Sequence, residues 1–281
     1  MPSLGLSVPG VGVTLDPMSG GRIRQVSVDG RRLLHDTPGD GSDPTATGWG
    51  SFPMAPFAGR VRHGRFVAGG VEHVLERRNG DHAMHGTVLD RPWEVREHTP
   101  TRCVLRTDLG PGWPWDGWCE QHLDLSAERL VMRLEVHSER EAFPTSAGWH
   151  PWFRTRLDAG GALRLDVTAG SMVRRDPEGI PSGVWGPPTP RPWDDCLGDI
   201  TWPVRLRWEI AGSPVVGIDI SADTRFVVVY DEPDHAWCVE PQSAPPDALG
   251  DPTHVVSPDQ PHIVTCEWRW IRSVPPYLSG E

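Results

Sequence analysis

The sequence predicts an all-β protein made of packed antiparallel sheets, and two patterns support this fold class. A two-residue hydrophobic period recurs along the 281-residue chain, whereas apolar stripes at helical spacing are nearly absent. Turn residues are dense, because 31 Gly and 30 Pro are scattered between the apolar segments rather than gathered in tracts. Many strands joined by turns and long loops are typical of a β-sandwich or jelly roll, whose concave face or loop end can hold a ligand.

Four segments carry the strand pattern most clearly. Residues 130–136, 204–210 and 264–270 alternate apolar with other residues, which predicts three half-buried strands. The segment FVVVY at 226–230 is a continuous apolar run, so we expect a strand that is buried on both faces.

Turn signals separate these runs. Asp29-Gly30 and Asn79-Gly80 predict hairpin turns, because both dipeptides tolerate positive φ. The stretch 176–192 is rich in Pro and Gly, and it could be a linker between two domains or a long loop across one face of a sheet. We favour the loop, since strand-like segments of similar character lie on both sides of it. Residues 1–281 are therefore expected to form a single domain.

The charge pattern argues against several classes of protein. The formal net charge is −11 at pH 7, which disfavours binding to nucleic acids and to anionic membrane surfaces. All 27 basic residues are arginines. The absence of lysine excludes Schiff-base chemistry and the lysine of a phosphate-binding loop.

The cysteines and the hydropathy pattern bear on the cellular compartment. Five cysteines are widely spaced and form no C-x-x-C pair, so neither a disulfide framework nor a zinc ribbon is expected. The N-terminal residues lack the pattern of a secretion signal, and no apolar run approaches the roughly 18 residues of a membrane span. We therefore expect a soluble, cytoplasmic protein.

Four short segments combine polar, aromatic and glycine residues in a way that strand patterning does not require; they are residues 54–60, 82–86, 148–153 and 238–247. His150 lies in the third segment, where Pro151 favours an extended backbone and aromatic neighbours could form either core or a platform for a sugar face. Glu240 lies in the fourth, between an apolar strand and Pro241. It could be a structural ion pair or a poised base.

The first two segments allow both structural and functional interpretations. The spacing His82-x-x-His85 is compatible with a metal pair, but the chain offers no recognisable third ligand, which favours one structural and one surface histidine. Arg60 could lie on a solvated strand face. Alternatively, Gly59 could let the backbone approach a ligand while the Arg60 guanidinium donates to its oxygens.

Taken in order, the four segments resemble those of the aldose 1-epimerase (galactose mutarotase) family. The chain carries MAPFAGR, HAMHG, GWHPWF and CVEPQSAPPDAL where the family has N/F-P-x-x-G-R, His-Gly, G-x-H-P-Y/W-F and C-x-E-x-Q-x-x-P-D-A. Together the segments span residues 54–249, and the last two are the most specific. The resemblance implies a large antiparallel β-supersandwich and the interconversion of the α and β anomers of a free aldohexose such as glucose or galactose, without metal or other cofactor.

The resemblance also implies catalytic roles for two residues. Glu240 matches the general base that takes the proton of the C1 hydroxyl, and His150 matches the general acid that protonates the ring oxygen. Glutamate and histidine have ordinary pKa values of about 4.3 and 6.5, so both forms needed for this exchange are accessible near neutral pH.

Three further residues match the family's substrate contacts. His85 corresponds to the second histidine, near the ring oxygen or C1, and Arg60 to the arginine that contacts sugar hydroxyls. The acidic contact is best matched by Asp194, with Asp195 as the competing assignment. The chain differs from the family in lacking a glutamine near Tyr230 and in reducing the usual HGG to His85-Gly86-Thr87, and both differences bear on the sugar preference.

Two other functions fit the same fold. A hexose-6-phosphate mutarotase would need cations around the phosphate, for which Arg62 and Arg65 are candidates. A carbohydrate-binding protein without activity would need no Glu240–His150 pair. In each case the expected partner is a small-molecule sugar, with no nucleic acid and no membrane, and the chain is expected to be a monomer or a homodimer.

Overall fold

The computed structural model describes residues 4–36, 47–78 and 80–272, and these residues are predominantly β-structure. Within these ranges there is no α-helix, and the helical content consists of two short 3-10 turns at Arg62–Gly64 and Ala248–Gly250. Neighbouring strands pair in the antiparallel sense throughout, as between residues 117–125 and 130–138. The predicted all-β, antiparallel fold class is confirmed.

The strands of the described residues are, in chain order, β1 (Leu4–Val8), β2 (Val11–Asp16), β3 (Arg22–Val28), β4 (Arg31–Arg32), β5 (Ser51–Met54), β6 (Arg60–Val61), β7 (Arg65–Ala68), β8 (Val71–Val74), β9 (Ala83–Met84), β10 (Glu94–His98), β11 (Arg102–Asp108), β12 (Gly117–Leu125), β13 (Arg129–Ser138), β14 (Phe143–Thr145), β15 (Gly148–Arg154), β16 (Ala162–Arg175), β17 (Pro181–Gly186), β18 (Asp194–Ile210), β19 (Ser213–Ala222), β20 (Phe226–Tyr230), β21 (Ala236–Gln242), β22 (His254–Val256) and β23 (His262–Arg272).

Most of these strands belong to one large curled sheet, and three two-stranded ribbons accompany it. The ribbons are β6–β9, β7–β8 and β14–β22. Within the large sheet, β15 pairs with β5 on one side and with β21 on the other, and β21, β20, β18 and β16 follow in order. This run of six strands carries the candidate site.

The hydrophobic core follows the alternation seen in the sequence. The apolar residues of β13 at positions 130, 132, 134 and 136 are fully buried, and so are those of β23 from Val264 to Trp268. Aromatic rings close the core, with Phe153 at 5.2 Å from Trp268 and 6.4 Å from Trp208 between centroids. Residues 227–229 of β20 are buried on both faces as predicted. Ile210 was also expected to be buried, but it is 46% exposed because β18 ends at this residue in a hairpin turn.

The predicted turns have mixed outcomes. Asp29 and Gly30, at φ 48° and 78°, form the tight turn between β3 and β4, as expected. Asn79 of the second predicted hairpin turn lies outside the described residues. The segment 176–192 is not a loop throughout, because β17 pairs with the end of β16. The described pairings place β17 at the sheet edge, a position that tolerates the prolines and glycines that made this segment look unstructured.

Gly86 fixes the backbone after β9. Its φ is 83°, and a Cβ at this position would come within 1.9 Å of the Ala55 carbonyl oxygen. The neighbouring Thr87 amide donates a hydrogen bond to that same oxygen at 2.9 Å. Glycine is therefore required both for the left-handed conformation and for the close backbone approach.

We expect Gly86→Ala to lower the free energy of unfolding by at least about 2 kcal/mol. The added Cβ would clash with the Ala55 carbonyl, and the backbones at Ala55 and Gly86 cannot move apart without breaking the hydrogen bond from the Thr87 amide to that carbonyl. Chemical denaturation followed by circular dichroism measures the change. Gly69→Ala is the matched control, since Gly69 also has positive φ (58°) but has open space where the Cβ would lie. Equal losses of stability in the two variants would contradict this explanation.

Candidate functional site

Strand pairing lines up five side chains in a row across the six-strand segment of the sheet. The register places Phe52 of β5 opposite His150 of β15, Glu240 of β21 opposite Val228 of β20, and Val228 opposite Cys196 of β18. The pairs Gly148–Gln242 and Trp152–Cys238 flank His150 and Glu240, so these two residues lie opposite each other between β15 and β21.

A second row runs parallel to the first, two residues along each strand. It consists of Trp152, Cys238, Tyr230 and Asp194, which are paired in that order across β15, β21, β20 and β18. Because side chains of a strand alternate between faces, both rows lie on the same face of the sheet.

A cavity of about 770 Å³ opens over these two rows. Its volume lies within the usual range for small-molecule sites. All five residues expected from the sequence to form the site line this cavity, namely Arg60, His85, His150, Asp194 and Glu240. The chain segments that carry them are up to 180 residues apart, and the fold brings them together.

The closest contact on the cavity floor joins a carboxylate and an imidazole. His150 Nε2 lies 3.2 Å from Glu240 Oε1, and both residues are buried. Burial raises the pKa of Glu240 well above its ordinary value, and the nearby charge of Asp194 adds to this shift. Burial likewise lowers the pKa of His150 well below its ordinary value, followed by the influence of His85. The site therefore favours the neutral forms of both groups.

One proton on this pair can occupy either of two positions. With the proton on Glu240 the pair is neutral, and with the proton on His150 it consists of an imidazolium and a carboxylate. The two forms contain the same number of protons and differ by one transfer along the 3.2 Å contact. The arrangement can thus deliver a proton at one position while accepting one at the other.

His85 lies against this pair from the ribbon side of the cavity. Its ring meets the His150 ring edge to face, at 4.9 Å between centroids, and its amide donates to the Gly59 carbonyl at 2.9 Å. Burial lowers the pKa of His85 to about 3, with the Arg60 charge as a second cause. The His85 ring is therefore neutral near pH 7, a form that can donate or accept a hydrogen bond but carries no charge.

His82 does not join His85 in a shared site. The ring of His82 accepts a hydrogen bond from the His63 amide at 3.2 Å, and its nearest ring neighbour is His63. In the described ranges, neither His82 nor His85 belongs to a group of three or more ligand side chains close enough to share an ion.

Asp194 and Asp195 differ in where they point. Asp194 lines the cavity and accepts hydrogen bonds from Arg60 Nη2 at 3.5 Å and from Arg175 Nη1 at 2.8 Å. Asp195, the next residue on β18, lies on the side of a separate surface hollow and contacts Arg175 Nε at 3.0 Å. The alternation of the strand thus favours Asp194 over Asp195 as the cavity carboxylate.

The aromatic residues around His150 divide between core and cavity. Trp149 and Phe153 are fully buried on the core side of β15. Trp152 lines the cavity, stacks on the His150 ring at 5.3 Å between centroids, and meets Tyr230 edge to face. Of the three aromatic neighbours, Trp152 is the one placed to form a platform for a sugar ring.

The arginines of the cavity wall are paired with acids. Arg175 contacts Asp194 and Asp195, Arg78 contacts Asp90 at 2.5 Å, and Arg77 lies 3.6 Å from Asp81. The wall also includes further carboxylates, at Glu76, Glu232 and Glu240. Arg62 and Arg65, the phosphate-binding candidates of the sequence analysis, are not among the cavity-lining residues; they pair with Asp176, Glu178 and Glu72.

Arg175 lines the cavity and Cys238 lies beside Glu240, but neither of them was assigned a role from the sequence. Arg175 follows Arg174 at the end of β16 with no motif around it, and only the pairing of β16 with β18 brings it to Asp194. Cys238 lies two residues before Glu240 on the same strand, so the two-residue period could have placed it on the site face.

Comparisons with known proteins agree with this architecture. The uncharacterised protein YphB of Escherichia coli K12 is 29% identical over 225 residues, which cover 72% of this chain and 76% of YphB. Among solved structures, the GalM/aldose epimerase homologue of C. elegans has a TM-score of 0.81 at 16% identity and covers 97% of this chain and 99% of its own. Galactose 1-epimerase of Lactobacillus acidophilus NCFM has a TM-score of 0.71 at 18% identity, covering 95% and 93%.

The structural matches confirm the galactose mutarotase-like β-supersandwich expected from the sequence. No helix within the described ranges has the length and apolar character of a membrane span. The family model for aldose 1-epimerase matches residues 18–196, which is more than half of the chain and includes the motifs around Arg60, His85 and His150. The chain belongs to the aldose 1-epimerase family.

Proposed function

We propose that this protein is an aldose 1-epimerase that interconverts the α and β anomers of a free aldohexose such as glucose or galactose. The observation that carries the proposal is the buried contact of 3.2 Å between His150 and Glu240 on the floor of a cavity of about 770 Å³. Anomer exchange needs one proton removed from the C1 hydroxyl and one delivered to the ring oxygen. A coupled acid and base supply both without any other reagent.

In this proposal Glu240 accepts the proton of the C1 hydroxyl while His150 donates a proton to the ring oxygen. The bond between C1 and the ring oxygen breaks, and C1 becomes an aldehyde carbon. Rotation about the neighbouring carbon–carbon bond presents the other face of the aldehyde, and the ring closes as both protons return. The pair ends with the proton arrangement with which it began, so the cycle balances.

The remaining cavity residues are assigned to substrate binding. Neutral His85 is placed to hydrogen-bond near the ring oxygen or C1, because its ring contacts that of His150. Arg60 and Asp194 are placed to bind sugar hydroxyls, as a donor and an acceptor joined by a 3.5 Å contact. Trp152 offers an apolar face to the C–H groups of the ring.

The charges of the cavity wall support a free sugar over a phosphosugar. The four cavity-lining arginines each have a carboxylate nearby, and the wall has at least as many carboxylates as arginines. A phosphate group is bound by charge-assisted hydrogen bonds from cations, and carboxylates beside those cations repel it. The lining of this cavity instead suits uncharged hydroxyl groups, which use donors and acceptors together.

We expect Glu240→Gln and His150→Asn each to lower turnover by roughly 10²–10⁴-fold, because each variant removes one proton transfer. Polarimetry on freshly dissolved α-D-glucose and α-D-galactose measures the rate of approach to the anomeric equilibrium. Glu209→Gln, a glutamate of β18 outside the cavity, is the matched control. If either Glu240→Gln or His150→Asn is folded and retains near wild-type turnover, the catalytic role assigned to that residue is wrong. Saturable sugar binding without any acceleration by the wild-type protein would instead support the binding-only alternative.

The pH dependence of turnover should be bell-shaped, because the singly protonated pair is the active form. Activity falls at high pH when the pair loses its proton, and the raised pKa of Glu240 places this limb above 4.5. Activity falls at low pH when a second proton binds, and the lowered pKa of His150 places this limb below 6.5. Rates corrected for the uncatalysed reaction test this profile. A wild-type profile with only one limb, together with the same limb in Glu240→Gln, would contradict the bell-shaped dependence.

Asp194→Asn should raise KM by about tenfold or more, because a charge-assisted hydrogen bond to a sugar hydroxyl is lost. The same change removes a negative charge that helps to raise the pKa of Glu240, so the alkaline limb of the profile should move to lower pH. Asp195→Asn is the matched control, since Asp195 shares the contact with Arg175 but does not line the cavity. Equal effects of the two variants on KM would contradict the assignment of Asp194.

A further inference from the structure

A third potential ligand lies beside the catalytic pair. The Sγ of Cys238 and the ligand atoms of His150 and Glu240 all lie within 4.8 Å of one another, and all three residues are buried. Cys238 and Glu240 are two residues apart on β21, so both side chains lie on the cavity face of that strand. Trp152 opposite Cys238 closes the other side of this group.

The distances suit a tetrahedral ion. A Zn²⁺ ion with bonds of about 2.0–2.1 Å to nitrogen and oxygen separates those two atoms by about 3.3 Å. His150 Nε2 and Glu240 Oε1 are already 3.2 Å apart. The Cys238 Sγ lies within 4.8 Å of a ligand atom of each of these residues, so a change of its side-chain conformation can bring it to bonding distance. The open side of the group is the cavity, which leaves room for a fourth ligand from solvent.

The ligand types and their charges also favour such an ion. Imidazole, thiolate and carboxylate are the three side-chain groups that commonly bind zinc. A divalent cation with one thiolate, one carboxylate and one neutral imidazole has no net charge. A neutral assembly avoids the large desolvation penalty that an isolated ion would have in this buried position.

We infer that His150, Cys238 and Glu240 form a binding site for a thiophilic divalent cation such as Zn²⁺, and that its occupancy reversibly blocks the active site. The inhibitory part of this inference rests on the proposed epimerase function, whereas the binding part does not. The ion takes the nitrogen and the oxygen that the proton transfers require, so it competes with the sugar. It takes no part in the anomerisation itself.

Binding must release protons. The Cys238 thiol loses its proton to become a ligand, and so does Glu240 if it is protonated beforehand. Metal affinity should therefore rise with pH.

Binding is tested on the full-length, chelator-treated protein with Co²⁺ as a spectroscopic substitute for Zn²⁺. We expect a sulfur-to-cobalt charge-transfer absorption in the wild type, which Zn²⁺ displaces. It should be lost in Cys238→Ala and in Cys238→Ser, and circular dichroism verifies folding of both. Cys196→Ala is the matched control, because Cys196 is another buried cysteine at the cavity but lies on β18, separated from Glu240 by Val228.

The absorption band also separates this site from another group of ligand side chains. Glu120, His122 and Glu135 cluster on β12 and β13, but this group contains no sulfur and cannot give the band. An absent band in the wild type, or a band that persists in folded Cys238→Ala, would overturn the inference.

Inhibition is tested by polarimetry with added Zn²⁺. In the wild type and in Cys196→Ala, we expect competitive inhibition that EDTA reverses. In Cys238→Ala the inhibition constant should rise by at least about tenfold, since even the loss of an outer-shell partner has an effect of this size. Equal sensitivity of Cys238→Ala and wild type would overturn the inhibitory role. A protein that does not accelerate mutarotation at all would refute the proposed function, while the cobalt experiment would still decide whether the metal binds.

Discussion

The candidate site depends on one structural constraint, the pairing of β15 with β21 that holds His150 against Glu240 inside the sheet. A carboxylate and an imidazole gain nothing for stability from burial, because the loss of hydration generally exceeds their attraction. The fold nevertheless holds both groups on the cavity floor at 3.2 Å. Under the proposed function, this contact is the position where the fold gives up stability for proton transfer.

The surroundings of the pair restrict its motion. The ring of Phe52 stacks on one side of His150 at 4.8 Å between centroids, and Trp152 stacks at 5.3 Å. Behind Phe52 lies Arg22, which is fully buried, donates to the Ser19 carbonyl at 2.7 Å and sits 4.0 Å from the centre of the Trp49 ring. Aromatic packing on a paired strand holds the imidazole in one orientation, which proton transfer between fixed atoms requires.

Much of the fold was predictable because strand periodicity is a local property of the sequence. The alternation of apolar residues in β13 and β23 predicts which side chains face the core. Asp29-Gly30 predicts a turn because both residues tolerate positive φ. Predictions failed where the structure of a segment depends on the strands that it pairs with or on its position at the end of a strand. The pairing of β17 with β16 outweighs a composition that suggests a loop, and the end of β18 exposes Ile210 despite its apolar character.

The candidate site shows the same division between local and long-range information. His150 and Glu240 lie in motifs that can be recognised from a few consecutive residues. Arg175 cannot be found in this way, because its relation to Asp194 exists only through the pairing of β16 with β18. The choice between Asp194 and Asp195 is an intermediate case. The two-residue period requires that one of them faces the cavity, but only the register with Tyr230 determines which one it is.

The floor and the rim of the cavity differ in how they are built. The floor consists of the rows on β15, β21, β20 and β18, which strand pairing holds in register. The rim comes from the short β6–β9 ribbon with Arg60 and His85, and from the end of β16 with Arg175. The departures from the family pattern affect the rim beside His85 and the end of β20 at Tyr230, and they leave the His150–Glu240 pair unchanged. Under the proposed function, substitutions at these positions can therefore change the sugar preference while the acid and base are retained, because the pairing of β15 with β21 sets the 3.2 Å contact.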